Sequence, residues 1–178
     1  MCRWQFGRSP TLTITMSCTH ANVYDGYGMP DDFDRLLADL KRLDARARVG
    51  ALDETNAQKL AYSEFGTVTE PPRPTITAAF DRTKATMRRA VDRKIGAVID
   101  GKSEAGGRRI LSEVGEDFAE VVREEIDNNT PPPLADSTVA QKRRKGQTDR
   151  TLVATGEMRE SIRVESKADS GRWVDDGE

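Results

Sequence analysis

The chain has one histidine, His20, and two cysteines, Cys2 and Cys18, all within the first twenty positions. As a metal set they offer three ligands without the close C-x-x-C spacing of small zinc sites, so they predict an unstructured, reduced segment with no metal and no disulfide framework. A lone histidine in a poorly defined beginning leaves a serine or cysteine nucleophile elsewhere without its usual base. The sequence contains no HExxH, CxxC or GxSxG pattern and no Gly-rich phosphate loop. Carboxylates are plentiful, but on amphipathic helices they fall on the water side. Glu64 is the one worth weighing as a catalytic acid. It has no partner acid, histidine or metal cluster, so a hydrogen bond to a nearby turn is the expected role. What remains is ionic chemistry. Lys142, Arg143, Arg144 and Lys145 crowd one short segment, and Gly146, Gln147, Thr148 and Arg150 follow. These cations suit contact with DNA or with an acidic partner, or a solvated loop that becomes ordered only in an assembly. No aromatic residues interleave them as a stacking platform requires. The expectation is an interaction protein without catalytic, cofactor or metal-binding residues.

Several elements must position these residues. Pro131, Pro132 and Pro133 lack backbone donors and fix their own φ, which makes a stiff elbow before the basic segment. Asp136 or Ser137 can cap the short basic helix that follows, and Thr155 is an N-cap candidate for a turn carrying Glu157, Met158 and Arg159. Ser161 to Val164 then alternates as a strand does. Upstream, Pro30, Asp31 and Asp32 open a helix with Phe33, Leu36, Leu37, Leu40 and Leu43 on one stripe. Ala47 to Leu52 reads as a strand. Asp53, Glu54 and Thr55 open a helix that ends at Phe65-Gly66, where Gly66 suits the left-handed C-cap conformation. Val68 to Pro74 is an exposed loop, in which Arg73 between two prolines is held for contact with a neighbouring subunit or with the chain's own acidic helix.

Two long amphipathic helices dominate the middle. From Thr75 to about Asp100, Ile76, Phe80, Met87, Val91, Ile95 and Val98 follow the helical period, among many Arg and Lys residues. Gly101 ends this helix. From Arg108 to Ile126 a second stripe runs from Ile110 to Ile126, with Glu113, Glu116, Asp117, Glu120, Glu124 and Glu125 outside it. The two helices are expected to pair through apolar stripes first and opposite charges second. A buried Phe, Leu or Ile contributes about 1.5–3 kcal/mol, against about 0.2–1 for a surface ion pair.

The 178 residues suit one domain over 30–166, preceded by an N-terminal arm or leader over 1–29 and followed by a polar C-terminal tail over 167–178 in which Trp173 is an anchor candidate. Met16 and Met29 are alternative starts, and Thr11 to Thr15 alternates like an edge strand. With 36% apolar and 33% charged residues, the core is small and neighbouring subunits are expected to add stability. The net charge of −2 gives no overall pull toward nucleic acid or membrane, although basic and acidic blocks alternate along the chain. No apolar run is long enough to span a bilayer, and the start has no hydrophobic core of a signal peptide.

Two blocks carry a family resemblance. One is Ala61-Tyr62-Ser63-Glu64-Phe65-Gly66-Thr67 followed by Pro71-Pro72-Arg73-Pro74. The other is Pro132, Pro133, Leu134, Ser137, Thr138, Lys145, Leu152, Thr155, Gly156, Met158, Arg159, Ser161 and Ile162, in that order. Together, over roughly Val49 to Val164, the chain resembles small neck proteins of tailed bacteriophages, of the tail-completion and head–tail connector type, with related virion morphogenesis proteins. It departs from their pattern at Thr75, where the family usually has an aromatic residue.

The resemblance implies a central sheet strand near Ala47–Leu52 and a structural role in the virion neck, assembled in the host bacterial cytoplasm. A homo-oligomeric ring around the DNA channel is implied, a hexamer by the tail's symmetry or a dodecamer by the portal's. Its neighbours would be portal, adaptor or stopper proteins on one side and the tail terminator or tail tube on the other. Glu64, Arg73, Pro131, Pro132, Pro133, Thr155, Gly156 and Arg159 are the expected subunit contacts, and Lys142, Arg143, Arg144, Lys145 and Arg150 the expected contacts with DNA or an acidic partner. A tail terminator or other tail morphogenesis factor is the nearest alternative, and a nucleic-acid-binding module the alternative of another class. The expected fold is α+β: a small, mostly antiparallel sheet packed against two long amphipathic helices, with extended arms or loops.

Overall fold

The computed structural model describes residues 2–6, 12–16, 38–128, 131–150 and 156–168. Four strands form one antiparallel sheet in the order β1 (Cys2–Phe6), β2 (Leu12–Met16), β3 (Ala45–Ala51) and β4 (Ile162–Ala168). Leu12 lies opposite Val49, and Val49 opposite Val164, so the pairing brings the two ends of the chain onto the central strand β3. The fold is α+β, as expected. One correction concerns the first residues: Cys2 belongs to a strand paired with β2, where a weakly structured segment was expected. Cys18, His20, Trp173 and most of the helix expected from Pro30 lie outside the described residues, although 38–42 is helical.

Alternation along β3 explains which way the sheet faces. Ala45, Ala47, Val49 and Ala51 are buried, while Arg46 and Arg48 between them are only partly so. Successive side chains on a strand point to opposite faces, which gives one apolar face and one polar face. The buried residues on β3 are small, and that lets a helix come close.

That helix is α3. The helices in chain order are α1 (Glu54–Phe65), α2 (Thr75–Ile99), α3 (Gly107–Asp127), α4 (Asp136–Arg144) and α5 (Glu157–Glu160). α3 packs on β3 and β4 with one side and on α2 with another, and so forms the middle layer. Its buried residues include Ile110, Leu111, Val114, Phe118, Val122 and Ile126. Two glycines set its approach. A Cβ at Gly115 would sit 2.7 Å from Val164 Cγ1, and a Cβ at Gly107 would run into the backbone carbonyl of Leu43.

The pairing of α2 with α3 matches the expectation from their stripes. Ile76, Ala79, Met87, Val91 and Val98 are buried on α2. Ion pairs join the exposed edges of the two helices: Lys94 with Glu113, and Arg82 with Glu125 at 2.7 Å and Glu124 at 3.5 Å. Burial of the stripe outweighs these exposed pairs, each worth under about 1 kcal/mol.

Candidate functional site

Residues of the two blocks that carry the resemblance meet in space at one node. α1 begins at Asp53, whose carboxylate accepts the N–H of Asn56 at 2.9 Å; this bond, followed by the Asn56 side chain, lowers the Asp53 pKa. The helix stops at Gly66, with φ 73° and ψ 176°. That conformation has positive φ but is not the left-handed helical cap expected, and it lies in a region open essentially to glycine alone. The next residues form a closed turn. Thr67 N–H donates to Glu70 O at 2.9 Å, and Thr67 Oγ1 accepts from Glu70 N–H at 3.0 Å. The chain then returns to α1, where Arg73 N–H donates to Ser63 O at 2.7 Å.

Glu64 and Arg73 are internal struts, which corrects the expectation that they meet a neighbouring subunit. Glu64 is 6% exposed, and its carboxylate accepts the N–H groups of Ile76 at 3.0 Å and Thr77 at 2.9 Å. The Thr77 hydroxyl also donates to it. The N-terminus of α2 has no cap from Pro74, so this carboxylate, supplied from α1, satisfies orphan donors there and complements the helix dipole. The expected hydrogen bond from Glu64 to a nearby turn is thus a bond to a helix end. Arg73 is 8% exposed, and its Nε donates to Pro132 O at 3.0 Å. Its partner is the elbow; it does not reach the acidic helix. Thr75, where the resembled family has an aromatic residue, is fully buried and donates its hydroxyl to Arg73 O at 3.1 Å.

A second node forms around Asp127, a residue that sequence reasoning passed over. Arg159 Nε donates to Asp127 Oδ2 at 2.8 Å, and Arg150 lies 3.6 Å from Oδ1. The bond from Asp127 raises the Arg159 pKa. Beside it, Arg123 donates to Ile162 O at 2.7 Å and so ties α3 to the start of β4. The turn into α5 is capped by Gly156 at φ 85°, in the left-handed region. Thr155, the expected cap, lies outside the described residues. Asp127 ends a long acidic run, and nothing in its spacing separates it from the solvated carboxylates before it.

The basic segment is partly neutralised from within. It occupies the last turn of α4, where cations complement the helix dipole. The helix starts at Asp136 after Ala135, so neither Asp136 nor Ser137 stands at the cap position. Lys142 donates to the carbonyl of Arg150, and burial pulls the Lys142 pKa down. Arg143 pairs with Asp149 at 2.7 and 3.0 Å, which raises the Arg143 pKa and lowers that of Asp149. Arg144 and Lys145 are exposed and make no ion pair among the described residues.

No group of three or more His, Cys, Asp or Glu among the described residues is placed to hold a metal. No helix among them is long and apolar enough to cross a membrane. Two clefts flank the α2–α3 pair. One is polar and lies beside Lys94, Arg109 and Glu113; hydrogen bonds from Lys94 and then Arg109 lower the Glu113 pKa. The other is a small apolar groove over Met87 and Phe118. Compared with known proteins, the chain matches no family model, no curated protein and no solved structure.

Proposed function

We propose that the chain is a structural subunit of a tailed-bacteriophage neck, a ring-forming piece of the tail-completion or head–tail connector type. The observation that carries this reading is the contact between the two motif blocks. Arg73 from the PPRP stretch holds the carbonyl of Pro132 from the PPP stretch, 59 residues away. Motifs that are weak singly make a stronger case when they build one object, here a rigid node of loop, helix end and elbow. A subunit whose neighbours must repeat around an axis needs surfaces of fixed shape. Turns closed by their own hydrogen bonds supply such surfaces at little ordering cost on association.

The basic segment supports the nucleic-acid-binding alternative less well. Lys142, Arg143 and Arg150 each have a partner within the chain, so their charges are partly spent before any phosphate arrives.

The deciding experiment is to purify particles from the producing host and weigh the chain's share of them, by quantitative mass spectrometry and by native mass measurement with isolated heads and tails. The expected result is incorporation at a fixed ring stoichiometry, a hexamer or else a dodecamer. Recovery of the chain only as a free species, never with particles, overturns the proposal.

A further inference from the structure

The closed turn after α1 holds an apolar side chain out in water. Val68 is fully exposed and Phe65 is 63% exposed, in a protein whose other large apolar residues are mostly buried. The turn is fastened across its own neck by Thr67 and Glu70 and anchored to α1 through Ser63. A rigid turn with an aliphatic tip is a costly thing to leave in solvent.

The same chain carries a receptor of fitting size. Between α2 and α3, Thr86, Met87, Ala90, Val114, Phe118 and Val121 line an apolar groove of about 120 Å³. A water's share of liquid is about 30 Å³ and a cavity of about 150 Å³ admits benzene, so this space takes one aliphatic or aromatic group. The groove is open where the helices are not clamped. Lys94–Glu113 closes the interhelical edge beyond one end and Arg82–Glu125 beyond the other. Charge also matches. Exposed Glu70 stands two residues from Val68, while exposed Arg89 and Arg93 follow Thr86 at three and seven positions along α2, on the same side of the helix.

We infer that the Val68 turn is a plug for the α2–α3 groove of a second copy of this chain. The contact is intermolecular because the turn folds back on itself beside Thr75, the first residue of α2, whereas Met87 lies twelve residues along the helix, about 18 Å away. Plug and groove are different surfaces, so the contact runs head to tail and leaves each copy one free plug and one free groove. Rotation between copies then closes a ring. This step rests on the ring-subunit reading and names the surfaces that build the ring.

Disulfide trapping in the full chain, with Cys2 and Cys18 changed to serine, tests it. Under mild oxidation, chains carrying both Val68→Cys and Thr86→Cys are expected to give a ladder of linked oligomers whose largest rung counts the ring. Mixing the two single variants gives a dimer only. Adding Glu70→Arg to the double variant slows ladder formation roughly threefold or more, because like charges then face each other. A double variant that stays monomeric, closes an internal disulfide or stops at dimers overturns the contact. Particle incorporation of the wild type without a ladder removes this contact and leaves the neck reading standing. A ladder without incorporation does the reverse.

Discussion

Glu64 has the marks often taken for a catalytic carboxylate: it is buried, it is charged, and a short hydrogen bond reaches it. Every one of those marks is explained by the end of α2, whose first N–H groups need an acceptor that Pro74 does not supply. Glu64→Ala therefore should cost roughly 1–3 kcal/mol of unfolding free energy, because buried donors lose their acceptor. Glu64→Gln keeps one acceptor oxygen and should cost less. Chemical denaturation of the two variants checks the order, and equal losses would refute the capping role. Arg73 behaves likewise. Arg73→Lys keeps the charge but not the geometry of the bond to Pro132 O, so it should speed proteolytic cleavage near the elbow almost as much as Arg73→Ala does. The hydrogen-bond demand on Glu64 was readable from its lack of chemical partners. The burial of Arg73 was not, because its partner is a backbone oxygen, and no sequence pattern marks that a carbonyl is free.

At the level of elements, the middle layer is the sensitive one. Gly107 and Gly115 lie on the same helix but face different obstacles, one a main-chain carbonyl and the other a valine methyl. Gly107→Ala should destabilise by more than about 3 kcal/mol, since backbone must move. Gly115→Ala should cost about 1–3 kcal/mol, and Val164→Ala should recover part of that loss in a double-mutant cycle. Strict additivity would show that the two residues do not meet. The edge of the α2–α3 pair gives a pH signature. Lys94 and Arg109 lower the pKa of Glu113, so its contribution is complete above the ordinary value near 4.5 and fades as pH falls through the lowered one. The stability gap between the wild type and Lys94→Met should narrow below about pH 4.5 in acid titrations. Both long helices were legible because each repeats its apolar residues over many turns. Strand β1 was not, although Cys2, Trp4 and Phe6 alternate with Arg3 and Gln5, because five residues give too few periods to stand out from an unstructured leader.

For the whole molecule, charge that is abundant in the sequence is largely balanced in the fold. Of the five cations over 142–150, three are held by the chain itself. If Arg144 and Lys145 alone reach phosphates, the affinity of the purified chain for duplex DNA should fall with log salt at a slope of about −1.8, against about −4.5 for all five. Fluorescence anisotropy across a salt series separates the two. The fold class and the helix pairing were recoverable from pattern alone. The stacking of sheet, α3 and α2 was not, because a stripe of Leu, Ile and Val does not say which of two neighbours it will meet. The junction of Arg73 with Pro132 has a further consequence for anyone recombining this protein with a distant cousin. A chimera with its crossover anywhere between those two positions would splice a key from one parent to a lock from the other, so viable crossovers should cluster outside that interval.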